Sequence, residues 1–171
     1  MTIKKEYIEN TKCLILRFEK MENNNCSKTT KFVYITHADR KWYIIDASQA
    51  PLGKIAVKVA NILRGKEKVS FTPNSDNGDY VIIINAKNVV FTGKKHTDKE
   101  YWYHTGFPGG EKTVTPKQAI AKGVMSKYIK KTVRGMIPNG PLGNAQYAKL
   151  FVYEDAQHNH EAQKPEILNV K

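Results

Sequence analysis

The chain has 171 residues, 40% of them apolar, with a mean hydropathy of -0.54, which bounds it to one domain around a single sizeable core. No apolar run approaches the roughly 20 residues that a membrane-crossing helix needs, so no membrane partner is expected. The net charge of +12 and pI near 9.6 oppose compaction unless a polyanion neutralises them, which makes nucleic acid or another anionic surface the expected partner.

That charge is unevenly spread. From Lys112 through Tyr153 there is no Asp or Glu, whereas Lys112, Lys117, Lys122, Lys127, Lys130, Lys131, Arg134 and Lys149 are all basic. A solvated protein face normally mixes both signs. Single-sign clustering over so long a stretch points to a polyanion. The two cysteines, Cys13 and Cys26, lack C-x-x-C spacing and have no accompanying histidine pair. They read as free thiols in a reducing cytosol, and neither a metal site nor a cofactor is expected.

Residues 1 to 30 form an N-terminal extension expected to be flexible. It sets Glu6, Glu9, Glu19 and Glu22 against Lys4, Lys5, Lys12, Arg17 and Lys20, and ends in the polar run MENNNCSKTT. Its apolar patch, Cys13 to Leu16, is too short and too acidically flanked for a secretory signal, and the glutamates argue against a transit peptide. Met21 is a candidate initiator. Residues 31 to 171 are expected to form the domain.

From Lys41 the pattern becomes regular. Trp42 to Asp46 reads as a strand, and Ala50-Pro51-Leu52-Gly53 as a turn into a helix. There Leu52, Ile55, Ala56, Val59, Ile62 and Leu63 fall at helical spacing on one stripe, and Gly65 is the natural stop. Tyr80 to Asn85 is apolar without alternation, the mark of a strand buried on both faces of a parallel sheet. Val89-Val90-Phe91 predicts another short strand. Thr115-Pro116 predicts an N-cap followed by proline at the first helical position. A further helix after Gly123 is predicted to place Met125, Tyr128, Ile129, Val133 and Met136 on the core side, and Lys127, Lys130, Lys131 and Arg134 on the other. A helical turn and the strand Leu150 to Tyr153 follow. Strand, helix, strand with a crossover of this length indicates a βαβ unit in an α/β domain.

Enzymes share that layout. Arg64-Gly65-Lys66 resembles the end of a phosphate-binding loop, but Glu67 stands where a magnesium-binding hydroxyl is required. Neither Ser48 nor Ser70 sits in a G-x-S-x-G elbow. An α/β enzyme acting on a phosphorylated small molecule, with His104 as base and Asp76 or Asp79 as acids, is the alternative reading. His158 and His160 read as a surface loop.

Polyanion binding absorbs more of the residues. One basic surface comprises Lys54, Lys58, Arg64, Lys66 and Lys68; the other comprises Lys94, Lys95, Lys127, Lys130, Lys131 and Arg134. Lys149 is counted with the RNA-binding residues. Between the surfaces lies YHTGFPGG, in which His104, Thr105, Gly106, Phe107, Gly109 and Gly110 form a rigid element that reads RNA shape. Aromatic rings there can stack on unpaired bases. Trp102 or Tyr103 is expected to be at least partly buried.

Several segments together resemble one family, the bacterial-type thirteenth protein of the large ribosomal subunit. They are RKWYIIDA (40–47), PLGKIAVKVANILRGKEK (51–68), FTPNSDNGDYVIIINA (71–86), VVFTGKK (89–95), YHTGFPGG (103–110), VRGMIPNGPLG (133–143), KLFVY (149–153) and HNHEAQKPEIL (158–168). The resemblance implies a three-layer α/β/α fold with a four-stranded, mainly parallel sheet. It also implies a cytoplasmic, non-enzymatic, structural role: binding large-subunit ribosomal RNA early in assembly, beside neighbouring large-subunit proteins, and binding messenger RNA to regulate its own synthesis. The chain departs from the family's usual pattern at Asn74, Asn144 and Asn159, where histidine, arginine and proline are common.

Overall fold

The computed structural model describes residues 40–170; the predicted extension over residues 1 to 30 lies outside them. The first strand, β1 (Trp42–Asp46), leads into helix α1 (Leu52–Arg64). Every member of the predicted stripe on α1 is buried, from Leu52 through Leu63. Burial of each large aliphatic side chain there contributes about 1.5–3 kcal/mol. Gly65 ends the helix in the left-handed region at φ 75°, its N–H donating to Ile62 O and that of Lys66 to Asn61 O. A side chain at this position would also meet the Asn77 backbone, since an added Cβ lies 2.9 Å from its carbonyl carbon. Only glycine satisfies both constraints.

Strand β2 (Tyr80–Ile84) runs parallel to β1, with Ile44 opposite Ile82. The predicted strand at 89–91 is reduced to a single bridge between Val90 and Pro51. Proline offers no N–H, and α1 starts at the next residue, where the Leu52 N–H donates to Val90 O at 3.1 Å. The ladder therefore has no partner to extend along. A short helix α2 (Lys95–Asp98) and an antiparallel hairpin, β3 (Tyr101–His104) with β4 (Glu111–Val114), follow.

Helices α3 (Pro116–Ala121), α4 (Met125–Arg134) and α5 (Pro141–Ala148) then lead to β5 (Leu150–Val152) and β6 (Glu166–Ile167). The sheet order is β5-β2-β1-β6 and all three pairings are parallel. The fully apolar β2 occupies the interior, as its lack of alternation requires.

The sheet's two faces are covered differently. Ile45, Val81, Ile83 and Leu150 share one core with the stripe of α1 and with Met125, Ile129 and Val133 of α4. On the opposite face Trp42 stacks on Tyr80 at 4.2 Å, and His160 sits 4.5 Å from Phe151 and 5.1 Å from Trp42. Among the described residues this second layer is the aromatic cluster and the segment after β5, not another long helix. His160 is thus a packed ring.

Thr115 caps α3 as its sequence predicts. The Gln118 N–H donates to Thr115 Oγ1, and the Thr115 N–H donates to Gln118 Oε1. Thr115→Ala should lower stability by about 0.5–2 kcal/mol, readable in thermal unfolding. Met136 corrects the prediction for α4. The helix ends at Arg134, Met136 is 37% exposed, and Ile137 takes the core position.

Candidate nucleic-acid interface

The sequence YHTGFPGG folds as the end of the β3–β4 hairpin. Tyr101 is its buried anchor, packed on Tyr128 of α4 at 4.6 Å between ring centroids. Trp102 and Tyr103 are 53% and 43% exposed, so burial falls on the preceding tyrosine rather than on either of them. At the tip, the Thr105 N–H donates to Gly110 O and the Gly110 N–H to Phe107 O, at 3.0 and 2.9 Å. Gly106 and Gly109 take φ of 91° and 71°, conformations that side chains disfavour. Phe107 projects from this turn at 74% exposure.

His104 is part of the brace. Its Nδ1 accepts the Gly106 N–H at 2.9 Å, which leaves Nε2 directed away from that bond. His104→Ala should therefore loosen the turn without unfolding the domain. Amide exchange at Gly106 should rise while the global unfolding transition stays within about 0.5 kcal/mol. Across the hairpin, Lys131 Nζ of α4 donates to Trp102 O at 2.8 Å, tying the basic helix to the loop.

The remaining basic side chains divide by partner. Lys58 pairs with Glu67 at 2.7 Å and Lys68 with the buried Asp79 at 2.5 Å. Among the described residues, Lys54, Arg64, Lys66, Lys94, Lys95, Lys127 and Lys130 make no ion pair. Arg134 folds back onto α5, hydrogen-bonding Asn144 Oδ1 with its guanidinium 5.4 Å from the Tyr147 ring. Asn144 thus braces a cation here. Lys54, Lys94 and Lys95 stand around one cleft, together with Lys99, so the two predicted basic surfaces meet. Lys99 lies between Asp98 and Glu100 in the sequence, so nothing local marked it as a companion of Lys94 and Lys95 at this cleft.

Lys149 belongs elsewhere. It is 3% exposed, and its ammonium donates to Asp76 Oδ1 at 2.5 Å and Gly78 O at 3.0 Å. Asp76 also pairs with Arg40 at 3.3 Å. Burial pushes the Lys149 ammonium below its ordinary value, against the attraction of Asp76. A group so enclosed cannot reach a phosphate, and its expected role in RNA binding gives way to a structural one.

The sequence profile of the family described as "Ribosomal protein L13" matches residues 40–159, a span holding the hairpin and both basic surfaces. The chain belongs to the ribosomal protein L13 family. It is 53% identical over 131 residues to the "Large ribosomal subunit protein uL13" of Bartonella bacilliformis, covering 77% of this chain and 85% of that one. Against the protein of the same description from Ligilactobacillus salivarius it is 47% identical over 143 residues, 84% of this chain and 97% of the relative. The counterpart from Brucella canis is 51% identical over 131 residues, 77% of this chain and 85% of the relative. Membership of the L13 family closes the enzymatic alternative, since these relatives are described as proteins of the large ribosomal subunit and not as enzymes. In this chain His104 braces the loop, and the candidate acids, Asp76 and Asp79, are occupied by Lys149, Arg40 and Lys68.

Proposed function

We propose that this chain is an RNA-binding structural constituent of the large ribosomal subunit, working in the cytoplasm beside neighbouring subunit proteins and joining the particle early in its assembly. The observation that carries the reading is the set of cations without carboxylate partners among the described residues, Lys54, Lys66, Lys94, Lys95, Lys127 and Lys130 foremost, beside a glycine-braced aromatic hairpin. Lysines supply salt-sensitive affinity for phosphates, whereas the fixed backbone of residues 103–110 supplies register on a folded RNA. Lys149 is left out of this interface; Lys58, Lys68 and Arg134 contribute less than the unpaired cations because each already has a partner.

Filter binding of the full chain to deproteinised large-subunit ribosomal RNA tests this. Log K should fall linearly with log salt, by about 0.7–0.9 for each phosphate neutralised. Affinity that is flat across salt would overturn the reading. The same face can engage a messenger RNA, because phosphate recognition carries no sequence information. Regulation of its own synthesis then requires the chain's own messenger to compete with ribosomal RNA for the protein at equal salt.

A further inference from the structure

Between the first turn of α1, the turn at residues 90–95 and Met136 lies a cleft of about 820 Å³. Its lining combines two chemistries. Leu52, Val90, Phe91 and Met136 supply apolar surface, with Val90 and Met136 exposed at 41% and 37% and the Phe91 ring fixed edge-on to His96 at 5.9 Å. Around them stand Lys54, Lys94, Lys95 and Lys99, against a single carboxylate, Asp98. The first turn of α1 adds no acid.

A site built for phosphate alone would have no use for an aliphatic and aromatic floor, where a phosphate would lose its hydration without compensation. A site for a purely apolar ligand would not be ringed by ammonium groups. A nucleotide fits both halves: its base has apolar faces that pack on Phe91 and Met136, and its phosphates are anionic. The volume falls within the roughly 300–1,000 Å³ of sites that enclose small ligands. Continuity favours a nucleotide that is part of a strand. Lys94 and Lys95 belong both to this rim and to the proposed RNA surface, so a backbone crossing them passes the cleft mouth.

We propose that this cleft receives one unstacked ribonucleotide of a bound RNA strand, its base on the Val90, Phe91 and Met136 surface and its phosphates against Lys54, Lys94 and Lys95. This rests on the reading of the chain as an RNA-binding protein. It adds base contact at a defined place to what would otherwise be backbone recognition.

The test compares binding of the full chain to a short single-stranded oligoadenylate with binding to the same oligomer carrying an abasic residue at its centre. Wild type should prefer the intact oligomer by about tenfold. The Val90→Ser/Met136→Ser double variant, which removes exposed apolar surface and no charge, should bind both equally with an unchanged salt slope. Lys54→Gln should weaken both oligomers alike and make the slope shallower. Equal binding of the two oligomers by wild type would overturn the proposal, as would a preference that survives in the double variant, which would place the base elsewhere. Adenosine monophosphate binding as tightly as the oligomer would also overturn it, as would an acidic peptide of equal charge doing so. Ribosomal RNA binding measured alongside separates the cases. If that binding is lost too, the functional reading fails; if it persists while the oligomers are not distinguished or not bound, the cleft proposal alone fails.

Discussion

Replacing Asp76 with alanine should lower the free energy of unfolding by about 3–5 kcal/mol, because it takes the paired carboxylate away from the buried Lys149 ammonium. Asp76 is the carboxylate that Lys149 and Arg40 share, and those two side chains are only 4% and 3% exposed. Lys149 also reaches Gly78 O at the entry to β2 and, at 3.5 Å, Leu63 O at the end of α1. Without Asp76 the ammonium and guanidinium repel each other in a poorly solvated space. A Lys149→Met change made on top of Asp76→Ala should recover a large part of the loss, measured by chemical denaturation. Simple additivity of the two single variants would show that the pair is not coupled. The pH dependence has a definite sign. Burial lowers the Lys149 value in the folded chain, so the unfolded chain holds that proton more tightly. Stability from this group therefore rises with pH between the lowered value and 10.5, the unfolded one. Asp76→Ala deepens the depression, and part of the lost stability should return as the solution becomes alkaline.

The second large effect concerns affinity. Changing Lys94, Lys95, Lys127 and Lys130 together to glutamine should make the slope of log K against log salt shallower by about 3 and weaken ribosomal RNA binding by roughly 10²–10³-fold near physiological salt. These side chains are exposed or half-buried and bear no ion pair among the described residues, so the fold should be unaffected in circular dichroism. A variant that keeps the wild-type slope would show that phosphates lie elsewhere.

Where a pattern is local, the sequence was a sufficient guide. The stripe of α1, the unbroken apolar run of β2 and the Thr115-Pro116 cap each follow from spacing or residue type within a few positions, and each appears where expected. The acid-free stretch from 112 to 153 likewise announced a cationic surface. The hairpin did not announce itself. YWYH and EKTV lack the alternation of a half-buried strand because most of both strands is exposed, and only Tyr101 and Val114 are buried. The short sequence at 89–91 looked like a strand because β-branched residues favour one, but its neighbour Pro51 cannot continue a ladder. Lys149 misled for a different reason. It sits in a basic stretch, yet its partner Asp76 is 73 residues away, and only the folded chain brings them together. The meeting of the two basic surfaces at one cleft is long-range in the same way, since it depends on how the start of α1 packs beside residues 90–95.

Sedimenting a lysate of cells producing the tagged full chain through a sucrose cushion at stepped salt shows whether the chain resides on the large subunit. The chain should pellet with the large subunit at low and moderate salt and leave it only at high salt. Recovery in the soluble pool at every salt concentration would rule out a place in the large subunit.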